Sequence, residues 1–164
     1  MTELQYPSTY GPERQLLIEY LDWYRTAILR KIDGASDETL RAKVVTSKTT
    51  LLGIVKHLAW VEIWWFQMVF AGRQLDDPYD DDPDHDWNVG PEETTQSIVD
   101  FYKDACDASR AIVDETPDLD AFSAIEGPKK WNLRRIMIHM IEETARHAGH
   151  ADILRELTDG RTGD

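Results

Sequence analysis

A chain of 164 residues with 41% hydrophobic content and six Trp, six Tyr and four Phe can bury one full core, which argues against disorder and against two separate domains. Its formal net charge of −13, from 31 Asp and Glu against 18 Lys and Arg, repels phosphate backbones and anionic lipid, so neither nucleic acid nor a membrane surface is expected as a partner. The single cysteine, Cys106, cannot close an internal disulfide, which fits a reducing cytosol.

In chain order, the N-terminal stretch MTELQYPSTYGPERQ lacks a basic region followed by an apolar run, so no signal peptide is expected. Helical periodicity then predicts a first helix over 12–33, with Leu17, Tyr20, Leu21, Tyr24, Ile28 and Ile32 on one stripe. Pro12 suits its first turn and Gly34 its end. A short helical turn with Ser36 as cap is predicted at SDETLR. The second long helix is predicted over 49–71, closing at Gly72. It contains the longest apolar stretch, WVEIWWFQMVFAG, which Glu62 and Gln67 interrupt and which is too short to span a bilayer. A cytoplasmic chain is therefore expected.

The loop LDDPYDDDPDHD follows, with seven Asp within 76–86. It lacks the ordered ligand spacing and glycine of a calcium loop, so it is expected to be solvated, with His85 exposed. The third helix is predicted to open at GPEE, where Pro91 suits the first turn and Glu92 and Glu93 suit the positive end of the helix dipole. Ile98, Phe101, Tyr102, Ala105 and Ile112 form its core stripe, and Pro117 stops it. The last helix is predicted from about Trp131 and Asn132 to about Thr158, with Gly160 beyond. These elements read as an all-α domain over 1–164, a four-helix bundle with long connections around 73–90 and 117–130.

The last helix carries HMIEETARHAGH, with three of the five histidines and two glutamates. On an ideal wheel with His139 at zero, Glu143 falls at about 40°, His147 at about 80° and His150 at about 20°. The apolar stripe of Leu133, Ile136, Met140, Thr144, Ala151 and Leu154 covers roughly 60° to 140° on the same wheel. Glu143 and His147 thus face the core edge, His139 and His150 lie nearer the rim, and Glu142 points to solvent. On the second helix, His57 has Ile54, Val61, Trp64 and Met68 within about 60°, while Lys56 faces away.

A histidine on such a stripe is either a core residue with a satisfied hydrogen bond or a ligand. A glutamate facing a core needs a partner, a proton or a cation. One carboxylate and one imidazole a turn apart, with an imidazole from another helix, could surround a divalent ion.

At these residues the chain resembles a known family. TLLGIVKHLAWVEIWWF and WNLRRIMIHMIEETARHAGHADILRE look like the DinB-like superfamily of metal-binding four-helix bundles. The likeness is greatest to the actinobacterial branch that includes mycothiol S-transferases and the mycothiol-dependent maleylpyruvate isomerase. It covers nearly the whole chain, and it implies an antiparallel bundle with a long crossover connection and a homodimer. It also implies a metal held by His57, Glu143 and His147, the last placed by Gly149 near the motif's end. Many relatives have histidine at the middle position; the isomerase resembles this chain in having glutamate. Two imidazoles and a carboxylate suit Zn2+, with Ni2+ and Fe2+ as rivals. The isomerase also has a second domain for which this chain leaves no room, so the single-domain transferases are the better match.

The implied activity is transfer of a low-molecular-weight thiol such as mycothiol to an electrophilic small molecule. Arg146 and His150 are candidates to orient a ligand or hold a cofactor carboxylate, each weighed against a plain surface role. Trp60, Trp64, Trp65 and Trp131 are either packing residues or the wall of an apolar pocket. A metal-dependent hydrolase at the same site and a non-catalytic metal-binding protein are the alternatives. Cys106 reads as a small core-edge residue rather than a nucleophile, and no Gly-rich phosphate loop or Gly-x-Ser-x-Gly elbow is present.

Overall fold

A computed structural model describes residues 6–76, 82–125 and 127–162. Among these, secondary structure is helical apart from one isolated antiparallel bridge between Phe122 and Asn132. Helix α1 spans Glu13–Ile32, α2 Asp37–Arg41, α3 Leu51–Glu62, α4 Thr95–Glu115 and α5 Leu133–Asp159. No helix among the described residues is long and apolar enough to cross a membrane.

Local chemistry sets most helix ends. Ser36, Thr50, Thr94 and Asn132 each accept the backbone N–H three residues on, satisfying a donor that the first turn leaves free. Gly160 closes α5 with φ +75, a conformation that costs glycine nothing. The start of α4 lies later than GPEE suggests. Thr94 is the cap, and Glu93 instead turns its carboxylate back onto the Gly90 N–H at 2.7 Å and onto Lys56. Tyr20 also departs from its expected stripe, being 44% exposed.

Helix α3 does not continue as an α-helix to 71. From Ile63 to Phe70 it widens into a π-helix that ends at Ala71, followed by Gly72 at φ +67. Each residue advances less around a π-turn than around an α-turn. The residues of this segment that turn inward are Ile63, Phe66, Val69 and Phe70, while Trp64 is 37% exposed. The stripe through His57, Val61, Trp64 and Met68 is the edge of the buried face and not its centre: the buried Leu58, Glu62, Phe66 and Val69 lie about 120° to 200° around the helix from Trp64.

Two apolar clusters stack along the helices. One gathers Ile28, Ile32, Leu51–Ile63 residues, Ile98–Cys106 residues, Ala148, Ala151 and Leu154. The other gathers Leu21, Phe66, Val69, Phe70, Ile112, Val113, Leu133, Ile136, Met137 and Met140. The chain of α3 and α4 passes from the first cluster to the second, and that of α1 and α5 from the second to the first. α1 and α5 therefore run parallel, as do α3 and α4, and the two pairs point in opposite directions. Terminal contacts agree: Arg134 at the start of α5 pairs with Glu13 at the start of α1, at 2.7 Å. Lys31 at the end of α1 pairs with Asp152 near the end of α5, at 2.6 Å. Because α3 and α4 are parallel neighbours, the chain between them must return along the molecule, and residues 86–88 of that return lie against α3.

Candidate metal centre

On α5 the turns holding Glu143 and His147 lie between the residues of one cluster, ending at Met140, and those of the other, beginning at Ala148. His57 projects from α3 toward the same point. The three side chains offer ligand atoms that all lie within 4.8 Å of one another. Glu143 Oε1 stands 3.6 Å from His57 Nε2 and 3.2 Å from His147 Nε2. Neighbouring ligands in a tetrahedral zinc shell lie about 3.3 Å apart, so small side-chain shifts would bring this set to that spacing. The donors, two imidazoles and one carboxylate, suit zinc or a similar divalent ion and leave a position open.

The protonation pattern fits a cation as well. His57 Nδ1 lies 2.5 Å from Asp86 Oδ2, and a carboxylate there can only accept. His57 Nε2 is buried without a hydrogen-bond partner and faces the Glu143 oxygen. Two acceptors aimed at each other repel unless positive charge lies between them. Burial, helped by the nearby His57, pushes the His147 pKa down to about 4, so its ring is neutral and free to ligate at neutral pH. The second oxygen of Glu143 is taken by Arg146 at 3.0 Å, which leaves Oε1 for the centre. Arg146 also pairs with Glu142.

His150 is exposed, yet its Nδ1 lies 3.4 Å from Nδ1 of His147, on the side away from Glu143. His139 stays outside the centre. Its Nδ1 is 3.3 Å from Glu142, and its ring packs edge-on to Trp65 with centroids 4.8 Å apart.

In a comparison with protein families, the mycothiol S-transferase family matches residues 16–160. The chain belongs to that family. A search of curated proteins matches none. The match spans α1 to the end of α5 and so includes every residue of the centre.

Within this S-transferase family member, several residues sit elsewhere than their sequence suggests. Asp86, expected in a solvated loop, is 3% exposed. Other parts of that acidic run, residues 77–81, lie outside the described residues. Nearby, Asp84 pairs with Lys48 at 2.6 Å, and Asp82 accepts from the Asp84 N–H and from Asn88. His85 is half-buried with its ring edge-on to Trp60. Lys56 points away from His57 but not into water; it is 5% exposed, with Nζ 2.7 Å from the Asn88 carbonyl and 2.9 Å from Glu93. The four tryptophans divide into separate groups. Trp65 packs on Trp131 with Arg135 above it, whereas Trp60 packs on Phe101 of α4. Trp87, which no sequence signal singles out, stacks flat on His57 with ring centroids 4.0 Å apart.

Cys106 is buried beside the Glu62 carboxylate, and burial with that charge pushes its thiol pKa up to about 12. Native protein at pH 8 is expected to resist alkylation by iodoacetamide, with full labelling after unfolding, as read by intact mass. Rapid labelling of the folded chain would contradict this account of the thiol.

Proposed function

We propose that this protein is a single-domain, metal-dependent S-transferase that joins a low-molecular-weight thiol, mycothiol or one like it, to an electrophilic small molecule. We read the helices as the four-helix bundle of the DinB type, cytoplasmic and homodimeric, with His57, Glu143 and His147 holding Zn2+ and with Ni2+ or Fe2+ as substitutes. The observation that carries the reading is the buried, unpartnered Nε2 of His57 facing Glu143 Oε1 at 3.6 Å, in a chain of the mycothiol S-transferase family.

A divalent cation at this point would lower the pKa of a bound thiol so that thiolate forms near neutral pH. The chain's own groups set the stage for that. Arg146 holds the outer oxygen of Glu143 and keeps the inner one turned to the centre. His150 steadies His147 from behind. In the reaction the sulfur bonds to the electrophilic carbon, the leaving group departs with its electron pair, and the thiol proton passes to solvent.

The reading is tested by following conjugation of monobromobimane to mycothiol, bacillithiol, glutathione and coenzyme A, with metal-stripped and zinc-loaded protein. Turnover with one thiol that vanishes on stripping and returns with zinc is the expected result. No turnover with any thiol in a loaded sample overturns the transferase. Ester or amide hydrolysis by the loaded protein without thiol would select the hydrolase instead.

A further inference from the structure

The chain between α3 and α4 does more than connect them. Residues 84–88 form a tight turn in which the Trp87 and Asn88 N–H groups both donate to the Asp84 carbonyl at 3.0 Å. Lys48 pins that turn from one end through Asp84, and Lys56 pins it from below through the Asn88 carbonyl. The turn delivers two neighbouring side chains to one ring: Asp86 to the Nδ1 edge of His57 at 2.5 Å, and Trp87 to its face at 4.0 Å.

Such an approach requires the turn to lie against α3, and Gly53 permits it. A Cβ at Gly53 would meet the Trp87 carbonyl oxygen at 2.9 Å and the capping Thr50 hydroxyl at 2.9 Å. A backbone contact of that kind cannot swing aside as a long side chain can.

We propose that this crossover turn is a positioning strap for His57. Asp86 accepts the Nδ1 proton and Trp87 blocks ring rotation, so that Nε2 is presented as a bare lone pair toward Glu143 and His147 before any ligand arrives. The reasoning is electrostatic. Asp86 is buried with Oδ1 unpartnered, so His57 Nδ1–H supplies the hydrogen bond that its charge most needs. A cation on the far side of the ring would make that N–H more acidic and the bond stronger, as in carboxylate–histidine–metal triads generally. Asp86 is thus a positioning residue: it acts through His57.

This strap rests on the metal reading for its purpose but not for its geometry, and the test separates the two. Metal-free protein with 15N-labelled histidine is examined at neutral pH by long-range proton–nitrogen correlation, His57 being assigned by its loss in a His57→Gln variant. The expected spectrum shows Nδ1 protonated and Nε2 bare. A protonated Nε2 in the wild type overturns the strap, whatever the stability of the variants described next.

Asp86→Asn can donate to Nδ1 and is expected to move the proton to Nε2. Zinc affinity, read by competition with a chromophoric chelator, should then fall about 10–100-fold. Gly53→Ala, which keeps every ligand and Asp86 itself, should weaken zinc binding in the same sense by lifting the turn. Unchanged affinity in Asp86→Asn also overturns the proposal. A wild type with Nδ1 protonated, an Asp86→Asn variant with the proton moved, and no zinc binding by either would uphold the strap and defeat the metal reading.

Discussion

Replacing His147 with alanine is expected to abolish the rise in melting temperature that zinc gives the wild-type protein. Metal bound only by the folded state stabilises it by about 2.7 kcal/mol at a free concentration a hundredfold above Kd. For a chain of this size that corresponds to a rise of about 5–10 °C. His147 provides one of the three ligand atoms, and alanine cannot replace it. The metal-free melting temperature should fall too, because the ring is 5% exposed and its loss leaves a cavity beside Glu143, so the deciding quantity is the difference between zinc-loaded and metal-free protein. His150→Ala should keep most of the zinc response, since that exposed ring touches only the rear of His147. Scanning calorimetry with and without zinc reads both. A His147→Ala protein with the full zinc-dependent rise would mean that the metal sits elsewhere or that the triplet only packs.

How far these residues could be read from the sequence depended on whether helix geometry carries the information. Glu143 and His147 are one turn apart on a regular helix whose cap, Asn132, and terminator, Gly160, are both local signals, so the face they share follows from pitch alone. His57 lies in the α-helical part of α3 and follows by the same rule. Trp64 shares the meridian of His57, and that meridian is the edge of the buried face, which a stripe drawn outward from His57 takes for its centre.

Asp86 was hidden for a different reason. It reaches His57 across 29 positions, within a run of acidic residues whose composition describes a solvated loop. The parallel course of α3 and α4 requires a return connection, and residue 86 of that connection is buried against His57, a placement that no local pattern in the acidic run records. Lys56 was obscured by the same path: a side chain turned away from its own helix's stripe is covered by the returning segment. Contacts fixed by chain topology leave no local trace, whereas contacts fixed by helical spacing do.

The second large effect is expected at a pair that the proposed chemistry does not use. Between the two apolar clusters, Arg25 of α1 and Glu62 at the end of α3 form a two-pronged ion pair, Nε to Oε1 at 2.7 Å and Nη2 to Oε2 at 2.6 Å, with both side chains at most 5% exposed. Burial opposes the charge on Arg25, but the Glu62 carboxylate and its hydrogen bonds outweigh it and raise the guanidinium pKa, so Arg25 stays charged. Ser109 and Thr144 lie in the same layer, each satisfied by the carbonyl four residues back in its own helix. Arg25 also holds Asp22 at 2.9 Å, which in turn receives Arg110 of α4 at 2.9 Å.

Arg25→Met strands the Glu62 charge in the core and is expected to cost about 3–5 kcal/mol in chemical denaturation. Arg25→Met with Glu62→Leu removes both charges and should recover most of that loss. Arg134→Met, at an exposed pair with Glu13, should leave the midpoint nearly unchanged. The pair sits where α3 passes into its π-segment, so it joins α1 to the start of the stretch that carries Trp64, Trp65, Phe66 and Phe70. A double variant that regains stability but loses near-ultraviolet circular dichroism from its tryptophans would assign the pair to register rather than to stability. If the single variant unfolds no more easily than Arg134→Met, Glu62 is not buried as an anion, and the layer must be held by something other than this ion pair.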